Sequence, residues 1–135
     1  MTEKIKLIIA CEYKLYREAI SRVLASEEDI EIVAEASNTT EVKRAMRQTK
    51  ADLLLLDMEM DGLNAPEVLS LIRKKNPHLG VLLFMGRYGE EKIMDALCAG
   101  AMRYILKSTN TGELIKSIRA LVQGEVWIQR KMDDG

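Results

Sequence analysis

The 135-residue chain is poor in the residues that cross-link, break or anchor a fold. It has two cysteines, two prolines and one histidine, and aromatic residues make up 4% of it. Two cysteines cannot form the disulfide framework of a small secreted domain. No apolar stretch approaches the roughly 20 residues of a membrane span, and the segment 1–4 lacks the apolar core of a signal peptide. We therefore expect a cytoplasmic protein with no membrane partner.

An excess of charge of one sign is also missing. The 20 Lys and Arg residues nearly balance the 21 Asp and Glu residues, so no global field would attract nucleic acid. Glu12-Tyr13-Lys14 follows the first apolar run, where a phosphate-binding enzyme would carry a glycine-rich loop. The single histidine, His78, lies at the wrong end of a predicted helix for a Ser-His pair. We expect a protein that is not an enzyme.

Short apolar runs alternate with amphipathic segments along the whole chain. The predicted strands are 5–10, 30–36, 53–56, 81–85 and 103–106. Strands that alternate with helices at this spacing predict right-handed crossovers and a parallel sheet covered on both faces. The sequence therefore predicts an α/β fold.

The helices between the strands show apolar residues at helical spacing. The first predicted helix carries such residues at five positions, which are Leu15, Ala19, Ile20, Val23 and Leu24. A further helix is predicted over 90–99, and the last one begins at 111–113 and stops at Gly124.

The carboxyl ends of the predicted strands carry the residues with chemical potential. Asp57 follows four leucines, Cys11-Glu12 follows the first strand, and Lys107 follows the fifth. These ends meet at one edge of a parallel sheet, where ligands bind. Glu12, Asp57 and a backbone carbonyl near Glu59 are oxygen donors of the kind that Mg²⁺ prefers.

Each of these residues also has a structural interpretation. Asp57 can cap the loop that follows it, and Lys107 can bridge buried carboxylates for stability alone. Cys11 is either a redox-sensitive thiol or, as we favour, a small buried apolar residue.

Several segments resemble the receiver domain of bacterial two-component response regulators, in particular the NarL/FixJ (LuxR-type) subfamily. The matching segments are 8–12, 17–20, 54–60, 99–101, 104–107, 113–118 and 124–127. The resemblance implies a flavodoxin-like (CheY-like) sheet in the order 2-1-3-4-5, with a receiver over 1–124. It also implies that 125–135 begins a linker to a DNA-binding helix-turn-helix output domain, which this chain would lack.

The resemblance implies roles for individual residues as well. Asp57 would accept a phosphoryl group from a histidine kinase, Glu12, Asp57 and the Glu59 carbonyl would hold Mg²⁺, and Lys107 would contact the phosphoryl group. Tyr104 falls on the aromatic switch position of the family. Receivers of this kind commonly dimerise, so a homodimer is expected.

Two positions depart from the family pattern and suggest a degenerate active site. Cys11 stands where receivers carry an acid, and a neutral thiol is a poor ligand for a hard cation. Met85 stands where they carry a Ser or Thr hydroxyl, and without that hydroxyl the rotation of Tyr104 loses its trigger. Two hypotheses follow: a phosphorylated receiver of a transcription regulator, or a phosphorylation-independent pseudo-receiver that serves as an interaction or dimerisation module.

Overall fold

Five parallel strands form one sheet in the computed structural model, which describes residues 4–86 and 103–134. The strands are β1 (Ile5–Ala10), β2 (Ile30–Ala36), β3 (Leu53–Asp57), β4 (Gly80–Met85) and β5 (Arg103–Leu106). The helices are α1 (Lys14–Ala25), α2 (Thr39–Gln48), α3 (Ala65–Lys75) and α4 (Thr111–Asp134). The sheet order is β2-β1-β3-β4-β5, which confirms the predicted flavodoxin-like α/β fold. The helix predicted over 90–99 lies outside the described residues.

The central strand β3 is buried on both faces because helices cover the sheet on both sides. Leu54 and Leu56 belong to the apolar core beneath α2 and α3, whereas Leu53 and Leu55 belong to the core beneath α1 and α4. All four leucines are completely buried, as expected for a parallel strand. Asp57 continues this strand and is therefore held at its carboxyl end by two packed layers.

Asparagine side chains begin three of the helices. Asn38, Asn64 and Asn110 each accept a hydrogen bond from a backbone N–H in the first turn of α2, α3 and α4 respectively. These caps satisfy amide donors that a helix leaves unpaired at its start. The cap before α4 lies three residues after Lys107, so it also fixes where the chain leaves the sheet edge.

The inward face of α1 differs from the predicted one. Leu15 is 83% exposed and Ala19 is also exposed, whereas Leu24 is completely buried. Ile20 packs against the same core as Leu24. Ala19 lies at the edge of the α1 packing face, where it lines a cavity with Ile20 and Leu55, whereas Leu15 points into solvent.

The predicted end of the last helix is wrong. The helix α4 runs without a break from Thr111 through Gly124 to Asp134. A glycine inside a helix costs only about 0.5–1 kcal/mol relative to alanine, so neighbouring turns can carry the helix through it. No helix within 4–86 or 103–134 has the length and apolar character that crossing a membrane requires.

Candidate functional site

Asp57 is a buried carboxylate at the carboxyl edge of the sheet. Its side chain is only 1% exposed, and its Oδ1 accepts a hydrogen bond from the backbone N–H of Glu59 at 2.9 Å. The chain then turns away through Gly62, whose φ of +72° lies in the left-handed region that favours glycine. The carboxylate faces Cys11, which follows β1, and Lys107, which follows β5.

Lys107 supplies the positive charge of the site. Its backbone N–H donates to the carbonyl of Met85 at 2.7 Å, which fixes the start of the loop after β5. Its Nζ lies 3.0 Å from Asp57 Oδ1 and 2.8 Å from Glu59 Oε2. Burial lowers the pKa of Lys107, but the hydrogen bonds to Glu59 and Asp57 outweigh burial and keep the pKa above the ordinary lysine value. The side chain is therefore an ammonium ion at neutral pH.

Two aromatic rings flank the ammonium group. Lys107 Nζ lies 5.7 Å from the ring centroid of Tyr16 and 5.6 Å from that of Phe84. The two rings are stacked, with centroids 6.0 Å apart. An ammonium near an aromatic face gains about 0.5–1 kcal/mol, so the rings help to position the cation. Neither ring could be assigned to the site from the sequence, because neither spacing nor residue type places Tyr16 of α1 beside Lys107.

Cys11 is completely buried beside Asp57. Its Sγ–H donates to Asp57 Oδ2 at 3.5 Å. Burial, followed by the negative charge of Asp57, raises the pKa of the Cys11 thiol to about 11. The thiol is therefore protonated at neutral pH, which makes it a hydrogen-bond donor rather than a metal ligand or a reactive nucleophile.

Arg17 holds the loop that carries Cys11 and Glu12. Its Nη1 donates to the carbonyl of Cys11 at 2.8 Å, and its Nε donates to Glu35 Oε1 at 3.0 Å. Glu12 itself is half-buried in this loop. The helical pattern places Arg17 among the charged residues outside the apolar face of α1, and it gives no sign of this contact with the site loop.

The sequence predicts a Mg²⁺ site formed by oxygen atoms at this edge of the sheet. Asp57, Glu12 and the Glu59 carbonyl are hard oxygen donors, and Mg²⁺ is typically held by one or two carboxylates plus water and substrate phosphate. The protonated Cys11 withholds a further anionic ligand. Within residues 4–86 and 103–134, no cluster of three or more His, Cys, Asp and Glu side chains has a metal-binding arrangement. Asp57 and Glu12 therefore have the donor chemistry that Mg²⁺ prefers, without forming such a cluster.

The two predicted switch positions lie in different surroundings. Met85 is 1% exposed and packs in the core beneath α2 and α3. Tyr104 is 45% exposed, one residue beyond the start of β5. A thioether donates no hydrogen bond, so position 85 gives the site no side-chain donor.

The side chain of Glu59 also contacts the site, which the sequence did not predict. Only its backbone carbonyl was considered, yet its carboxylate accepts hydrogen bonds from Lys107 Nζ and from the backbone N–H of Gly86. The available signal was its position, two residues after Asp57 in the same turn. The direction of its side chain could not be read from that position.

The fold and the site together define a class of protein: flavodoxin-like domains with an acidic site and a lysine at the carboxyl edge of the sheet. Within this class, the family described as the response regulator receiver domain matches residues 7–119. The chain belongs to this family, which consists of signalling domains.

Curated proteins and solved structures place the chain near LuxR-type regulators. It is 31% identical over 121 residues to the response regulator protein VraR of Staphylococcus aureus, covering 90% of this chain and 58% of the relative. A LuxR-family two-component response regulator from Aurantimonas sp. SI85-9A1 superimposes with a TM-score of 0.83 at 26% identity, covering 90% of this chain and 87% of that one. A DNA-binding response regulator of the LuxR family from Staphylococcus aureus gives a TM-score of 0.80 at 26% identity, covering 87% and 98%.

These comparisons confirm the predicted resemblance to LuxR-type receivers. They do not support the alternative hypothesis of a phosphorylation-independent pseudo-receiver. The chain spans 58% of the length of the staphylococcal relative VraR.

Proposed function

We propose that Asp57 is the phosphoacceptor of this receiver domain and takes its phosphoryl group from a histidine kinase. The observation that carries the proposal is the buried Asp57 carboxylate with Lys107 Nζ 3.0 Å from its Oδ1. A desolvated carboxylate beside a fixed cation is suited to nucleophilic attack on phosphorus, because the cation stabilises charge that develops in the transition state.

The transfer makes one bond and breaks one. An Asp57 carboxylate oxygen attacks phosphorus, the bond from phosphorus to the imidazole nitrogen of the kinase breaks, and its electron pair stays on the imidazole. Lys107 remains protonated throughout and balances the charge that reaches the aspartyl phosphate. The Glu59 N–H, which donates to Oδ1, fixes the orientation of the carboxylate before the transfer.

A magnesium ion would complete the site. Asp57, Glu12 and the Glu59 carbonyl are the residues that would hold it, with Arg17 fixing the loop that carries Glu12. When bound, Mg²⁺ neutralises charge on the phosphoryl oxygens. Because Cys11 is neutral and Met85 supplies no hydroxyl, we propose that this site is degenerate and binds the ion more weakly than a site with a third carboxylate.

The phosphoacceptor is tested by intact-protein mass spectrometry after incubation with acetyl phosphate and Mg²⁺, with acetate as the leaving group. We expect a gain of one phosphate on the wild type that is acid-stable and base-labile, as for an acyl phosphate. The Asp57→Asn variant is the matched control, since an amide cannot form this bond. An equal gain on both proteins, or no gain on either, would contradict the proposal.

At the level of the whole protein, we propose a cytoplasmic transcription regulator. Its receiver domain would cover 1–124, residues from 125 onward would lead to a helix-turn-helix domain that binds DNA, and two copies would form a homodimer. Support comes from the LuxR-type relatives, one of which is described as DNA-binding. Sedimentation of the receiver with and without phosphodonor tests the dimer, and a single monomeric species in both would contradict it.

A further inference from the structure

The carboxylate of Glu59 lies across the mouth of the site and bridges two loops. Its Oε1 accepts a hydrogen bond from the backbone N–H of Gly86, directly after β4, and its Oε2 accepts one from Lys107 Nζ at 2.8 Å, directly after β5. The same Nζ lies 3.0 Å from Asp57 Oδ1. One ammonium group therefore serves two carboxylates, and only one of them belongs to the acceptor.

The two donors that hold Glu59 are the donors that a phosphoryl group on Asp57 would need. A phosphoryl group and a carboxylate carry negative charge on oxygens of similar spacing, so both accept charge-assisted hydrogen bonds from the same N–H groups. Asp57 pairs in register with Phe84 of β4, which brings Gly86 to the same sheet edge as the acceptor. Glu59 and an incoming phosphoryl group would therefore compete for Gly86 and Lys107.

Glycine at position 86 leaves the space in which the contact with Glu59 forms. A Cβ built on Gly86 would collide with Oε1 of Glu59, the far end of a flexible side chain. The missing side chain is what allows the carboxylate to approach the Gly86 backbone. An alanine at position 86 would displace Glu59 and leave the backbone N–H in place.

The bridge is also weak enough to open. The Glu59 side chain is 50% exposed, whereas the Asp57 side chain is 1% exposed. Ion pairs that water can reach contribute little to stability, so Glu59 can exchange its protein partners for water at modest cost.

We propose that Glu59 is an internal anion that occupies the phosphoryl-binding donors of the resting site and slows phosphoryl acceptance. The inference rests on the proposed function of Asp57 and adds to it a residue that controls the rate of phosphoryl acceptance. Phosphoryl transfer at Asp57, with the bonds made and broken as described above, requires the Glu59 carboxylate to leave Gly86 and Lys107.

The test measures by intact mass how fast variants of the 135-residue chain are phosphorylated by acetyl phosphate in the presence of Mg²⁺. We expect Glu59→Ala to accept phosphate roughly tenfold faster than wild type, because a competing charged hydrogen-bond acceptor is removed. Glu59→Gln keeps the shape of the side chain but removes its charge, so it should accelerate the reaction in the same direction. Asp61→Ala is the matched control, since it removes an exposed acid from the same turn.

A second measurement reads the contact itself without any phosphodonor. The amide proton resonance of Gly86 should shift on Glu59→Ala and stay in place on Asp61→Ala, because only Glu59 accepts a hydrogen bond from it. Equal rates for Glu59→Ala and Asp61→Ala, with wild type still labelled at Asp57, would overturn the inference and leave the proposed function intact. If no protein in the set shows Asp57-dependent labelling, the proposed function fails and the inference fails with it.

Discussion

Removing the charge of Lys107 should destabilise the domain through Asp57, and the size of the effect can be worked from the site. The substitution Lys107→Met keeps most of the side-chain volume but leaves Asp57, 1% exposed, as a buried carboxylate without a cation. The Glu59 carboxylate loses the same partner, but it is half exposed and can be solvated. The cost therefore falls mainly on Asp57.

The separation of 3.0 Å between Lys107 Nζ and Asp57 Oδ1 sets the upper limit. With an effective dielectric constant of about 20, two unit charges at this distance attract by about 5–6 kcal/mol. Desolvation of both groups offsets more than half of that attraction. We therefore expect Lys107→Met to lower the free energy of unfolding by about 2–3 kcal/mol, a large part of the stability of a domain.

A double-mutant cycle with Asp57→Asn isolates the pair. The amide of Asn can still accept the hydrogen bond from the Glu59 N–H, so Asp57→Asn alone should cost little. In the double variant the Asp57 carboxylate is replaced by a neutral amide, so the loss of the Lys107 cation leaves no buried charge unpaired. A coupling energy of about 2 kcal/mol should therefore appear. Urea unfolding followed by far-ultraviolet circular dichroism measures all four proteins. A coupling energy below about 0.5 kcal/mol would refute the reasoning, because the pair would then be no stronger than a surface contact.

Three further predictions concern the thiol, the departures from the family pattern and the core. With the other cysteine removed by Cys98→Ala, Cys11 should react with iodoacetamide near pH 8 at least about 100-fold more slowly in the folded than in the urea-unfolded protein. The reason is that its pKa of about 11 leaves little thiolate at this pH. The rate should rise as the pH approaches 11, and a fast reaction at neutral pH would contradict the prediction. Combining Cys11→Asp with Met85→Thr should lower the Mg²⁺ midpoint, measured by thermal-shift titration, by about tenfold, since a third carboxylate joins the donors. An unchanged midpoint would show that these residues do not limit the site. Leu55→Ala should cost about 2–5 kcal/mol in urea unfolding, whereas exposed Leu15→Ala should change stability by less than about 0.5 kcal/mol. Similar losses for both would contradict the assignment of the α1 face.

The strands and the central pair could be predicted from the sequence for a physical reason. A buried parallel strand must be apolar at consecutive positions, so Leu53 to Leu56 identified β3 without reference to any partner. Once the strands were located, the shared edge of the sheet placed Asp57 near Lys107, which the 3.0 Å contact confirms.

The remaining parts of the site depend on rotations and side-chain directions that spacing does not record. Leu15 points into solvent because of how α1 is rotated about its axis on the sheet, and the same rotation brings Tyr16 beside Lys107. The Glu59 carboxylate reaches Gly86 by folding back across the turn. In both cases several side-chain directions fit the same sequence pattern, and tertiary packing selects one.

Arg17 connects helix α1 to the loop after β1 through its side chain. Its backbone belongs to the helix, while its guanidinium is hydrogen-bonded to the Cys11 carbonyl and paired with Glu35 at the carboxyl end of β2. Tilting α1 would stretch the hydrogen bond to the Cys11 carbonyl of the loop and the ion pair with Glu35 of the sheet, both of which are charge-assisted. A displacement of α1, whose Leu15 is exposed, should therefore also move the loop that carries Cys11 and Glu12.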